Sequence, residues 1–287
     1  MTNETDDLEL FAAAAEAGDA TARFNLAEAY REGNGVPQDF EVALRWYRAA
    51  AEQGHSRAQN NLGSMYLNGM GTPRDVEEAI RWYRAAAAQG QREAELNLGI
   101  RYRVGDGVTQ DDAQAFDWFL RSALGGCTEA VAEVGTAYRF GRGVAQNFVE
   151  AASWHVGAAA RGDVVAMGNL ADYREDLERL ALDGSLSAAH WLARMYESGL
   201  GVEKDDALLY AWVRWGLRRG KLGIEDDGFG NFRAWLETLK QDLPPEDQRR
   251  GLRAFNALKL ARDALHRDWG GERAVILPSV PATSVTN

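Results

Sequence analysis

Cysteine occurs once in 287 residues, at Cys127. A single thiol forms no intramolecular disulfide and supplies no cysteine-based zinc site, which agrees with a reducing compartment. Lysine is nearly as scarce, at Lys204, Lys221, Lys240 and Lys259, so arginine supplies the rest of the 32 basic residues. Acidic residues outnumber them at 43, and the formal net charge is -11. A field of that sign disfavours nucleic acid and anionic membrane as main partners and suits a basic or mixed protein surface. Nowhere do the roughly 20 apolar residues that cross a bilayer run together. The opening MTNETDDLEL carries acids where a secretory signal carries bases, and no apolar core follows it. The expectation is a soluble, cytoplasmic chain.

Motifs for chemistry are equally thin. No Gly-x-Ser-x-Gly elbow occurs, and Ser153 and Ser185 lack the context of a nucleophile. His55, His155, His190 and His266 form no pair at metal-binding spacing. Glu225, Asp226 and Asp227 lack the alternating oxygens and distal glutamate of a calcium loop, and read as solvated surface. Gly-x-Gly elements are present, but they follow helices and recur, whereas phosphate-binding loops follow a strand and open a helix. They read as structural turns. No catalytic, cofactor or metal residue is expected, and the chain is read as not an enzyme.

What is present is a period. Ala22, Ala58, Ala94, Ala130 and Ala166 stand 36 residues apart. In the first four copies Leu26, Leu62, Leu98 and Val134 follow four residues on, and Tyr30, Tyr66, Tyr102 and Tyr138 eight residues on, all on one helical face. Gly33, Gly69, Gly105 and Gly141 then stop this helix A, since the residue after a helix end often takes the left-handed conformation. Asp39, Asp75, Asp111 and Asn147 read as N-caps of a helix B. That helix carries Ala43, Ala79, Ala115 and Ala151, each three residues before Trp46, Trp82, Trp118 and Trp154. The tryptophans read as core, and His155 as partly buried in place of Tyr47, Tyr83 and Phe119. Gly54, Gly90, Gly126 and Gly162 end helix B, and the next helix A begins within a few residues.

The pattern A-x3-LG-x2-Y-x2-G-x-GV-x2-D-x3-A-x2-W-[YF]-x2-A-x4-G resembles the Sel-one-like repeat (SLR), a longer relative of the tetratricopeptide repeat. The resemblance covers about three quarters of the chain and implies an all-α fold, an α/α solenoid of helix hairpins with C-terminal capping helices. Residues 1–21 read as an N-terminal cap and half repeat, 22–165 as four regular repeats, and 188–220 as a fifth complete repeat. Between the last two, 166–187 is a shortened copy without the glycine-valine turn, where a kink is expected. Residues 221–269 read as a loop and capping helices, and 270–287 as a disordered tail.

The resemblance also implies a partner-binding concave face on helix A, opposite its core positions. That face carries Phe24, Arg31, Leu67, Leu96, Ile100, Arg103, Arg139 and Arg194, flanked by Asn25, Asn61 and Asn97. The asparagines either bond the backbone of an extended ligand or pack helix against helix. Apolar Leu67, Leu96 and Ile100 rimmed by arginine suit a protein or peptide partner. The expected function is a bacterial interaction scaffold or adaptor, as monomer or homodimer. An immunity or antitoxin-like protein that neutralises a basic effector is the alternative. A third and weaker reading is a hydrolase of the β-lactam-hydrolysing type described for disulfide-rich relatives, which rest on paired cysteines that this chain lacks.

Overall fold

The computed structural model describes residues 12–220 and 232–267, and among them every regular element is a helix. After α1 (12–16) come three hairpins, α2 (Ala20–Glu32) with α3 (Phe40–Ala51), α4 (Ser56–Asn68) with α5 (Val76–Ala87) and α6 (Arg92–Val104) with α7 (Asp112–Leu124), and then α8 (Thr128–Phe140) and α9 (Phe148–Ala159). The chain continues through α10 (Val164–Asp172), α11 (Arg174–Asp183), α12 (Leu186–Ser198), α13 (Asp206–Gly220), α14 (Phe232–Asp242) and α15 (Pro245–Arg267). The architecture is an all-α solenoid of helix hairpins. It divides into two compact units, one reaching to Ala137 and taking in Arg142–Ala145, the other formed by Tyr138–Gly141 and the chain from Gln146 onward. The acidic trio Glu225 to Asp227 and the tail from 270 lie outside the described residues.

Each helix B opens on the expected cap. Asp39, Asp75, Asp111 and Asn147 accept from the amides of Val42, Glu78, Gln114 and Glu150 at 3.0, 3.0, 3.0 and 3.2 Å. Caps of this kind are worth about 1 kcal/mol each. Helix A is capped too, by residues that carry no common type: Asp19, His55, Gln91, Asp163 and Ser185 each accept from the amide of the alanine three residues on.

The second glycine of each turn is what lets hairpins stack. Gly71 has φ +68, and a Cβ there would lie 2.3 Å from the Phe40 carbonyl oxygen. The turn of the second hairpin therefore rests directly on the first turn of α3.

The core differs from the sequence expectation in one respect. Tyr47, Tyr83, Phe119 and His155 are the deeply buried aromatic positions of helix B, whereas Trp46, Trp82, Trp118 and Trp154 are half-buried. The Tyr83 ring lies against α4 where Gly63 provides the room, since a Cβ on Gly63 would sit 2.9 Å from it. Its neighbour Trp82 packs at the edge and donates its indole N–H to Glu78 at 2.8 Å, a use that suits an amphipathic ring. His155, read as partly buried, is wholly so, with Nδ1 2.9 Å from the Tyr173 hydroxyl.

One buried carboxyl breaks the repeat's own rule. The residue after the repeating alanine of helix A (Ala22, Ala58, Ala94) reaches back to a carbonyl eight residues earlier, Arg23 to Ala15 at 3.0 Å and Gln59 to Ala51 at 3.0 Å. In α6 this residue is Glu95, 8% exposed, which as a carboxylate cannot donate to the corresponding Ala87. Burial raises its pKa despite the opposing pull of Arg121. Glu95→Gln restores a donor, and it is expected to raise stability by about 1 kcal/mol in thermal melts near pH 7.5. An unchanged or lowered melting temperature would contradict this reading.

In the second unit α10 stops at Asp172, Tyr173 adopts φ -114 and ψ 19, and α11 follows at once with no side-chain cap. Leu177, Ala181 and Leu182 bury the inner face of α11, and Gly184 ends it. At the C-terminal end α15 packs on α13. Gly251 permits this approach, because a Cβ there would lie 2.8 Å from the Ala207 carbonyl oxygen.

Candidate partner-binding face

Helices A of adjacent hairpins are tied together by side chains at the positions read as partner-binding. Between α2 and α4, Glu28 is the hub. It accepts from the Tyr47 hydroxyl, from Asn61 at 2.6 Å and from Arg31 at 2.6 Å, while Arg31 also donates to the Tyr47 oxygen at 3.1 Å. Burial first, then the adjacent Glu28 carboxylate, pushes the Tyr47 phenol well above its ordinary pKa, so it remains a donor. Between α4 and α6, Asn97 donates to Asn60 at 3.0 Å. Between α6 and α8, Arg103 pairs with Glu133 and lies 5.5 Å over the Phe119 ring.

In the second unit, Arg139 donates to Asn169 at 2.8 Å and pairs with Asp172 at 3.0 Å. Arg194 pairs with Glu197 on its own helix at 2.7 Å. Of the two alternatives for the asparagines, Asn61 and Asn97 serve helix packing in this structure. Asn25 is half-buried. Phe24 is a core residue, 7% exposed, stacked on His55 at 4.7 Å with Arg57 5.2 Å above it.

The apolar residues are different. Leu96 and Ile100 fall on one face of α6, and the next residue on that face, four further on, is Val104. Leu96 and Ile100 are half-buried and Val104 is 55% exposed. In α4 the same three positions are Asn60, Ser64 and Asn68. Leu67 of α4 packs against the core. On the α8 side of the stripe lies a shallow notch of ≈ 20 Å³, floored by Phe116, Phe119 and Ala115 and rimmed by Arg103 and Glu133. Val104 was missed in the sequence because only three positions per repeat were assigned to the face. Extending the Leu96–Ile100 spacing by four residues would have found it. Glu133 was missed as well, since a carboxylate at its position recurs in no other copy.

The remaining chemistry-bearing groups are placed structurally. Cys127 is 4% exposed, with its Sγ 3.3 Å from Glu129, directly before α8. His55 caps α4, and burial, then the nearby Arg57, lowers its pKa. Among the described residues no cluster of three or more His, Cys, Asp or Glu could hold a metal ion. No helix among them is long and apolar enough to cross a membrane.

Glu178 is the most perturbed carboxyl. It is 3% exposed, and burial raises its pKa to about 7 against the single pairing with Arg174 at 2.8 Å. A carboxyl whose folded pKa is raised favours folding while protonated. Its contribution is thus complete below its unfolded value near 4.5 and is lost as pH rises to about 7. The melting temperature of Glu178→Gln is expected to vary less than that of the parent between pH 4.5 and 7.5. A parallel pair of curves would refute the assignment.

Stacked hairpins with paired side chains between their first helices define a helical-repeat protein. The Sel1 repeat model matches residues 20–55, 56–91, 92–127, 128–163 and 186–208, more than half of the chain. The chain belongs to the Sel1 repeat family, whose members are generally protein-interaction scaffolds. Its fold is similar to that of a protective antigen with an SLR fold present in uropathogenic Escherichia coli strains, at TM-score 0.58 and 26% identity over 92% of this chain and 68% of that one. It is also similar to a Sel1 repeat protein from Oxalobacter formigenes, at TM-score 0.54 and 27% identity over 76% of this chain and 99% of that one. The immunity protein PA5088 from Pseudomonas aeruginosa is more distant, at TM-score 0.41 and 21% identity over 83% of this chain and 79% of that one. No curated protein matches the chain.

Proposed function

We propose that the protein is an interaction scaffold that holds a protein or peptide segment on the helix-A face of its first unit, centred on α6. The observation that carries this reading is the stripe Leu96–Ile100–Val104, apolar and partly exposed where the preceding repeat is polar. Apolar surface left open next to a fixed polar frame is a feature of contact sites. The Arg103–Glu133 pair, with Arg103 on the same helix, frames it. A partner gains affinity there by covering the three side chains, while the paired arginine and glutamate fix its register.

The residue to test is Ile100, which takes no part in the ladder that joins the helices. Ile100→Asp is expected to weaken capture of the partner at least tenfold and leave the circular dichroism spectrum unchanged. Arg103→Ala is a poorer test, because it also cuts the tie between α6 and α8. Undiminished capture by Ile100→Asp would remove α6 from the site.

A further inference from the structure

Helix α15 carries six of the chain's 32 basic residues against only three acids, within a protein of net charge -11. Its inner face is fixed on the second unit by Ala254, Phe255 and Leu258, and Gly251 brings it close to α13. The opposite face holds Arg249, Leu252, Arg253, Asn256, Lys259 and Leu260, which fall within about 120° of one another at 3.6 residues per turn. Leu252 is 42% and Leu260 68% exposed, and both arginines are exposed. Among the described residues no carboxylate pairs with Arg249, Arg253 or Lys259, whereas most arginines of the helix-A face are paired. Lys259 instead lies 4.5 Å over the Phe255 ring.

We propose that this face of α15 is a second interaction surface, which takes an acidic protein segment bearing two apolar side chains. Charge complementarity selects the class: three cations without counter-ions demand carboxylates, and guanidinium forks match them in two-point geometry. The apolar anchors set the spacing. Leu252 and Leu260 lie eight residues apart, about 12 Å along the helix at 1.5 Å per residue, which is the separation of two side chains about two turns apart on a partner helix. An anionic bilayer fits less well. Membrane-surface helices segregate apolar from charged residues, but here Arg253 and Asn256 stand between the two leucines on the same stripe. Because α15 is already packed on α13, the surface needs no ordering to bind.

The test uses the full chain and a synthetic 14-residue helical peptide of glutamate with two leucines seven positions apart, its lysine-for-glutamate counterpart, and vesicles containing anionic phospholipid. The acidic peptide is expected to bind in fluorescence anisotropy at low salt, and the lysine peptide not. The double change Arg249→Glu with Arg253→Glu should weaken binding at least tenfold, and so should Leu252→Ser with Leu260→Ser. Ile100→Asp should leave it unaffected, which separates this surface from the α6 face. Binding that survives both double changes, no binding of the acidic peptide, or binding to vesicles alone would each overturn the proposal.

Discussion

Tyr83→Ala is expected to lower stability by about 3–5 kcal/mol, and Trp82→Ala, one residue earlier, by no more than about half of that. Tyr83 is 0% exposed, its ring lies against α4, and its hydroxyl is 3.0 Å from the Ser64 hydroxyl. Removing it opens a cavity that neighbouring hairpins cannot close, because Gly63 and Ala79 are held by their own helices. Trp82 is half-buried with its N–H turned to a surface carboxylate, so water replaces much of what it leaves. Chemical denaturation of the two variants, compared at their midpoints, reads the difference. Equal losses would mean that the tryptophan is as much a core residue as the tyrosine.

Gly71→Ala is expected to be nearly as damaging, on the order of 4 kcal/mol, against about 1–2 kcal/mol for Gly90→Ala. Both glycines hold left-handed backbone, at φ +68 and +75. The added Cβ at Gly71 would meet the backbone of Phe40, which cannot swing aside, whereas at Gly90 nothing lies within 4 Å. The pair therefore separates the cost of conformation from the cost of contact. Similar losses for the two variants would show that the turn does not rest on α3 as described.

Much of this was legible in the sequence because it repeats. Asp39, Asp75, Asp111 and Asn147 recur at one spacing, and each meets the free amides that only a helix start presents. The helix-A caps were not legible, since Asp19, His55, Gln91, Asp163 and Ser185 share the accepting role but, apart from the two aspartates, no residue type. Depth within the core was misjudged for a related reason. Periodicity gives the side of a helix, but adjacent residues such as Trp82 and Tyr83 differ by 100°, and which is deeper depends on a glycine in another helix.

The binding face was half legible. Leu96 and Ile100 stood out as apolar where the preceding repeat has Asn60 and Ser64. The fate of the arginines depended on partners about 30 residues away, Glu133 for Arg103 and Asn169 for Arg139, whose spacing follows from stacking rather than from local sequence. Those partners turn two of the expected recognition residues into ties between repeats. What remains open on α6 is a shorter, more apolar surface than the sequence suggested.

The most direct measurement is site-specific photocrosslinking in the native host, with the probe residue placed in turn at Ile100 and Val104 on α6 and at Arg45 and Asp117, exposed on helix B. One protein partner is expected to crosslink from both α6 positions, with the linked residues mapping to a single segment of it, and not from the helix B positions. Crosslinks that arise equally from Arg45 and Asp117, or from those alone, would contradict a binding face on helix A.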